Sequence, residues 1–220
     1  QAVNNASESH IFVMGDDDIA LDNLSEICFD IAKEHDFALL KGFIIDSKGN
    51  RIGKLPYYIN NSAIGIIEYI KRRSRGQIAT VFPGTLYRKD LFNKIEGYKN
   101  SEISGWAFTD EFFILRFLKN GGLIKISKNY CWEYRVHKDQ IPVVFTNESY
   151  LKERFIFLKK LFKEGFFEGL DKSVVNEYTK YVLGYISSCL GHSLGKKRDI
   201  YNALKFIFQT IEFKNIKEEF

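Results

Sequence analysis

The order of apolar and polar positions divides the chain into two parts of different character. Up to about residue 146, short apolar runs alternate with helical periodicities, and beyond it long stretches rich in Phe, Lys and Glu follow one another. Short apolar runs between turn residues are typical of strands, whereas apolar residues every three or four positions predict helices. We therefore predict an α/β domain over residues 1–146 and a helical C-terminal segment over residues 147–220.

Strands and helices are predicted in alternation through the first part. A strand at Phe37–Ile45 is followed by turn residues at Asp46–Asn50, which indicates a hairpin. Glycines at positions 121 and 122 end the last predicted helix of this part. The other predicted strands or extended stretches are Ile11–Met14, Ile78–Tyr87, Leu123–Ile126 and Tyr130–Val136, and the predicted helices are 21–32, Ser62–Arg73, Arg88–Ile95 and Thr109–Asn120.

Three helices are predicted in the C-terminal segment, at Tyr150–Lys163, Lys172–Leu190 and Asp199–Phe213. The first carries an apolar stripe flanked by lysines, which suits a membrane surface. The same stripe suits packing against the α/β domain, and this is the interpretation we favour. Its members are Phe155, Phe157, Leu158, Leu161 and Phe162.

Composition and charge narrow the classes of protein to consider. The chain has 220 residues, of which 45% are hydrophobic, so it can bury a core of one domain with an appendage. Its net charge of +4 is modest and its basic residues are dispersed, which disfavours nucleic-acid binding. The three scattered cysteines suggest a reducing compartment. No apolar run reaches the length of a membrane span, and no signal peptide is evident.

Three consecutive carboxylates follow the first predicted strand. The apolar run that begins at Ile11 leads through Gly15 into Asp16, Asp17 and Asp18. A continuous apolar run is typical of a strand buried on both faces, as in a parallel sheet, and ligands of open α/β sheets bind at the carboxyl ends of strands. Adjacent carboxylates favour a hard divalent cation shared with substrate phosphates. The alternative is an acidic turn that precedes the next helix.

Four motifs follow one another in a fixed order. They are Gly15–Asp18; Gly84–Lys89 with Ile95–Tyr98; Gly105–Glu111 leading to Arg116 and Gly121–Gly122; and Tyr134–His137. This series resembles family 2 glycosyltransferases with a GT-A fold, especially bacterial enzymes that build surface polysaccharides, over about residues 11–141. The resemblance implies a mixed, mainly parallel sheet flanked by helices, and we expect the N-terminal part of such a domain to be missing.

The resemblance implies a metal and donor site at the acidic cluster. Asp16 and Asp18 match the Asp-x-Asp positions of the family, with Asp18 as ligand of Mn²⁺ or Mg²⁺ and Asp16 near the ribose or the metal. Asp17 is the intervening residue and is assigned to the donor diphosphate. His137 is expected to complete the metal shell, or to be a surface histidine. Arg135 is expected to offset diphosphate charge, since arginine binds phosphate in a bidentate manner, or to form a salt bridge on the strand.

The resemblance also implies a base and an acceptor pocket. Asp110 matches the general base of the family, and its position relative to Arg116 favours it over the neighbouring Glu111. A carboxylate at a helix start is also favoured by the helix dipole without any catalytic role. We assign Glu111 to the acceptor pocket, together with Gly84, Thr85 and Trp106, although ordinary packing explains the last three equally well.

The resulting hypothesis is a metal-dependent, inverting transfer of a sugar from a nucleotide-sugar donor to a hydroxyl of a glycan or lipid-linked saccharide. Such an enzyme would work in the cytoplasm, with possible peripheral contact with the inner face of the cell membrane, in polysaccharide biosynthesis for the cell envelope. Two alternatives remain open. One is a metal-dependent nucleotidyl or phosphoryl transferase, which usually gathers more carboxylates around two metals. The other is a non-catalytic module that binds glycans or a partner chain.

Overall fold

A computed structural model gives the fold of the chain. It describes residues 2–57, 63–79, 83–97, 109–137 and 148–193. Within the last of these ranges, it describes side chains only for residues 156–182. The strands are β1 His10–Val13, β2 Ile19–Ala20, β3 Phe37–Ile45, β4 Arg51–Lys54, β5 Ala63–Ile64, β6 Thr85–Arg88 and β7 Ile124–Arg135. The helices are α1 Ala2–Asn5, α2 Leu24–Ala32, α3 Ile66–Ser74, α4 Lys89–Lys94, α5 Thr109–Lys119, α6 Glu148–Lys163 and α7 Lys172–Ser193.

The strands form one mixed sheet in the order β1-β6-β3-β7-β2, with β4 paired to β3 and β5 to β7. The prediction of a mixed α/β fold is confirmed. The prediction of mainly parallel pairing is wrong, because among the six strand pairs in the described residues only β3–β7 is parallel. Two of the antiparallel pairs involve β6, which runs antiparallel between β1 and β3 and so separates two strands that point the same way.

The first strand also differs from its prediction. All four residues of β1 are only partly buried, rather than buried on both faces. Within the described sheet, β1 pairs with β6 alone, so one of its edges carries no strand. Its apolar side chains Ile11, Phe12 and Val13 still pack against the core. The position of β1 nevertheless brings the acidic loop that follows it to the end of the sheet.

The centre of the sheet is the pair β3–β7. β3 has the predicted bounds, and the predicted hairpin turn joins it to β4. Two strands were predicted where the structure has the single strand β7. A side chain bridges the irregular residues between the two predicted strands. Ser127 Oγ accepts the N–H of Lys41 at 2.7 Å and donates to the carbonyl of Asn129 at 3.0 Å. This polar bridge falls where the register between the two strands shifts.

Trp132 fills the space beneath Gly42 of β3 and Gly84, which directly precedes β6. Its indole N–H donates to the carbonyl of Leu40 at 2.8 Å, and the side chain is fully buried. A Cβ at Gly42 would lie 2.6 Å from the ring, and one at Gly84 would collide with it. Gly84 also has a φ of +82°, which side chains disfavour. Packing around Trp132 therefore explains both glycines.

The C-terminal helices share the core of the α/β part. In α6 the side chains of Phe157, Leu158 and Leu161 are buried, and the ring of Phe112 from α5 meets Phe157 edge-on. Core packing is thus confirmed for these three members of the stripe. Phe162 is partly buried against the same core, and the side chain of Phe155 and the predicted helix at Asp199–Phe213 lie outside the described residues. No helix among the described residues has the length and apolarity needed to cross a membrane.

Candidate functional site

The carboxylate of Asp18 joins the ends of two strands that are distant in sequence. Its Oδ2 accepts the N–H of Gly15 at 2.9 Å, within the loop after β1. Its Oδ1 accepts the N–H of Arg135 at 3.0 Å, at the end of β7. Burial raises the pKa of Asp18, while these two backbone hydrogen bonds act in the opposite direction. A Cβ at Gly15 would lie 2.8 Å from Asp18 Oδ2, so this position favours glycine.

Asp17 contacts the same strand end through both its side chain and its backbone. Its Oδ2 lies 3.1 Å from Nε2 of His137, and both side chains are about one-third exposed. The carbonyl of Asp17 accepts the Nε–H of Arg135 at 2.8 Å. The guanidinium of Arg135 also donates to the carbonyls of Asp46 at 3.2 Å and Ser47 at 3.4 Å, in the β3–β4 turn. Arg135 therefore ties the acidic loop to this turn.

Tyr134 links the acidic loop to the start of α5. Burial raises the pKa of its phenol, and the charges of Asp18, Asp17 and Asp110 raise it further. Three carboxylates thus act on one hydroxyl group, although Asp110 comes from a different element. Tyr134 was not assigned a role from the sequence. The signal available in the sequence was its place in the motif with Arg135, two positions after Trp132 along a strand. In the structure the rings of Tyr134 and Trp132 make an edge contact, with their centroids 5.9 Å apart.

Asp16 and Asp110 differ in their surroundings. Asp16 is exposed in the loop between β1 and β2. Asp110 is partly buried in the first turn of α5, with Glu111 beside it. The structure therefore brings Asp17, Asp18, Arg135 and His137 to one end of the sheet, with Asp16 on the same loop. Asp110 is near enough for its charge to act on Tyr134.

The acceptor residues predicted from the sequence have other surroundings. Glu111 is 4% exposed and pairs with Arg73 of α3, so it does not line an open pocket. Thr85 is 4% exposed and lies in β6, between β1 and β3. Gly84 is buried against Trp132. Trp106 lies outside the described residues. The described part of the structure therefore lends the predicted acceptor pocket no support.

The described side chains do not form a metal cage by themselves, since no group of three His, Cys, Asp or Glu side chains is placed to hold an ion. The chemistry of the side chains at this place nevertheless fits a metal ion that is shared with a bound ligand. Asp17, Asp18 and His137 offer carboxylate oxygens and an imidazole at one place, and each oxygen of Asp18 keeps a lone pair beyond its backbone hydrogen bond. Mg²⁺ is commonly held by one or two carboxylates together with substrate phosphates. The residues fit a metal that a bound diphosphate helps to coordinate.

Comparison with known proteins identifies the fold. No family model matches the sequence, and no curated protein sequence matches it significantly. Solved structures of S. aureus TarS residues 1–349 do match. The complex with UDP-GlcNAc superposes with a TM-score of 0.60 at 12% identity, over 92% of this chain and 58% of that chain.

Two further structures of the same protein agree with this match. A second structure of TarS residues 1–349 gives a TM-score of 0.58 at 14% identity, over 92% of this chain and 56% of that one. The complex with UDP gives 0.56 at 15% identity, over 89% and 53%. The chain thus spans a little over half the length of the structures it matches. At these identities the similarity establishes the fold, which is that of GT-A-like glycosyltransferases.

Proposed function

We propose that this chain carries the catalytic end of a glycosyltransferase that uses a nucleotide-sugar donor. The observation that carries the proposal is the joining of Asp17 and Asp18 to Arg135 and His137 at one end of the sheet. The fold supports it, because matching structures have been solved with UDP-GlcNAc and with UDP. Since the chain covers little more than half of those structures, the activity of the whole protein belongs to the proposal.

The acidic loop and the end of β7 would bind the donor diphosphate. Asp18 and His137, with Asp16 or Asp17, would hold Mn²⁺ or Mg²⁺. When bound, the ion would neutralise the negative charge that develops on the leaving diphosphate. Arg135 fixes the loop through the Asp17 carbonyl, which leaves the carboxylates oriented before a ligand arrives. Such preorganisation is the main contribution of a protein to stabilising a developing charge.

Asp110 would act as the general base. The acceptor hydroxyl oxygen forms a bond to the anomeric carbon, the bond from that carbon to the diphosphate oxygen breaks, and the hydroxyl proton moves to the Asp110 carboxylate. A single displacement of this kind inverts the anomeric configuration. The charge of Asp110 acts on the same Tyr134 phenol as the charges of Asp17 and Asp18, which supports this role. The acceptor class remains that expected from the sequence resemblance, a glycan or a lipid-linked saccharide.

Calorimetric titration tests the donor site directly. UDP and GDP are each titrated with Mn²⁺ and with EDTA into the wild type and into Asp18→Ala. Asp30→Ala is a suitable control, because Asp30 is an exposed carboxylate of α2 that pairs with Lys33. We expect metal-dependent binding of UDP that is lost in Asp18→Ala and kept in Asp30→Ala. Folded wild-type protein that binds neither nucleotide would overturn the proposal and favour a non-catalytic module.

A further inference from the structure

Glu111 is next to the proposed base in sequence, but its side chain lies in a buried polar cluster. Its Oε2 is 3.2 Å from Nη2 of Arg73 in α3, and its Oε1 accepts the hydroxyl hydrogen of Tyr178 in α7 at 2.6 Å. Tyr178 is fully buried. The cluster therefore connects α5 both to a helix of the α/β part and to the C-terminal helical segment.

Arg73 makes this cluster difficult to rearrange. Its guanidinium also donates to the carbonyl of Ile78 at 3.3 Å and lies 5.1 Å from the ring centre of Tyr181. Burial alone would lower the pKa of Arg73, but Glu111, Tyr181 and Tyr69 together outweigh burial and hold the pKa above its usual value. Arg73 therefore stays charged. If Glu111 moved away, a buried charge would lose its partner, which is strongly unfavourable. The pairing thus holds Glu111 in one position.

The anchored residue lies in the part of α5 that most needs an anchor. The first four N–H groups of a helix have no partner within the helix, so its first turn tends to fray. Glu111 is the third residue of α5, directly after Asp110. Neighbouring residues in a helix project about 100° apart. A fixed Glu111 side chain therefore sets the direction in which Asp110 projects from the same turn.

We infer that Glu111 is a positioning residue for Asp110, and that Arg73 and Tyr178 hold it in place. The C-terminal helical segment then takes part in forming the site, since Tyr178 belongs to α7. The inference rests on the proposed function, because it assigns Asp110 the role of base. It replaces the prediction that Glu111 contacts the acceptor.

The test compares two variants that cut contacts of α7. Tyr178→Phe removes the hydroxyl that donates to Glu111 and leaves the ion pair with Arg73 in place. Glu177→Gln is the matched control, because Glu177 binds Arg75 at the end of α3 and makes no described contact with α5. Each variant is made in the wild type and in Asp110→Asn. Release of UDP from UDP-GlcNAc, with water as acceptor, gives kcat and KM, and calorimetry gives the affinity for UDP with Mn²⁺.

We expect Tyr178→Phe to lower kcat about tenfold with KM and UDP affinity unchanged, because a small displacement of a catalytic group costs rate rather than binding. In Asp110→Asn the same substitution should have no further effect, since residues that act through one group are not additive. Glu177→Gln should behave as wild type in both backgrounds. An equal loss of kcat from Tyr178→Phe in the presence and absence of Asp110 would overturn the inference.

Hydrogen exchange of the backbone amides at residues 110–113 provides a readout that does not depend on turnover. Tyr178→Phe and a second variant, Arg73→Lys, should both speed exchange there, whereas Glu177→Gln should not. Unchanged exchange in both variants would overturn the inference even if the enzyme is active. Full activity of Asp110→Asn would instead overturn the assignment of the base, and with it the proposed mechanism, so the two failures can be told apart.

Discussion

Asp17 and His137 lie 3.1 Å apart, Oδ2 to Nε2, although 120 residues separate them in sequence. The contact joins the loop after β1 to the residues that follow β7. It places an imidazole beside the carboxylates at the end of the sheet, where the fold would receive a nucleotide diphosphate. Several consequences of this arrangement can be measured.

Replacing His137 by Ala should weaken the binding of UDP in the presence of Mn²⁺ by about 10- to 100-fold, the usual effect of losing a group that orients or completes a metal site. Without metal, the substitution should change nothing. Titration calorimetry of wild type and variant measures both. His10→Ala is the control, because His10 contacts the carbonyl of His35 at the other end of β1. Equal UDP affinity in His137→Ala and wild type would remove His137 from the site.

Much of the fold is predictable from the sequence, because its signals are local. β3 has the predicted bounds, and α5 differs by a single residue at its end. Strand pairing is not local: nothing near Ile11–Val13 or Thr85–Arg88 indicates that β6 lies between β1 and β3. The motif of the acidic loop could be found from the sequence because its signal, like that of β3, is local.

The surroundings of Glu111 could not be predicted in this way. Its partners are 38 and 67 residues away, and an acidic residue in the first turn of a helix is favoured by the helix dipole whatever it contacts. The burial of Glu111 and its long-range contacts in the structure were needed to distinguish its role from that of Asp110. The same is true of Tyr134, whose proximity to three carboxylates depends on two separate elements.

Gly84→Ala should destabilise the protein strongly. The φ of +82° disfavours a side chain, and the new methyl group would collide with Trp132, so we expect a loss of about 2–5 kcal/mol in the free energy of unfolding. Gly49→Ala separates the two causes: Gly49 has a φ of +88° with nothing within 4 Å, and its substitution should cost about 1–2 kcal/mol. Urea unfolding measures both. Equal losses would show that Trp132 moves aside at no cost.

The two cysteines whose side chains the structure describes, Cys28 and Cys131, should make the free energy of unfolding depend on pH in the alkaline range. Burial raises the pKa of Cys28 to about 11 and that of Cys131 to about 12, against an ordinary value of 9.0. A group with a raised pKa in the folded state stabilises fully below its unfolded pKa, and this contribution is lost as pH rises through the folded pKa. The free energy of unfolding should therefore decline above about pH 9. Urea unfolding of wild type and Cys131→Ala between pH 7 and pH 11 tests this, and the variant should show the smaller decline.

Breaking the buried ion pair from the Arg73 side should be more harmful than removing the pair altogether. Arg73→Met leaves the Glu111 carboxylate without its cation, and we expect a loss of about 3–5 kcal/mol in the free energy of unfolding. Arg73→Met combined with Glu111→Leu replaces both charges by apolar groups, and buried pairs replaced in this way commonly keep or gain stability.

Urea unfolding of the wild type, both single variants and the double variant gives the coupling energy of the pair. The double variant should recover most of the stability lost in Arg73→Met. It should not recover turnover of UDP-GlcNAc, because a leucine cannot accept the hydrogen bond from Tyr178 that helps to hold the start of α5. Recovery of stability and turnover together would mean that any well-packed side chain at position 111 is sufficient. The double variant also takes away the acceptor of the buried Tyr178 hydroxyl. A double variant as unstable as Arg73→Met would mean that this loss cancels the gain from removing both charges, and that the cluster requires Glu111.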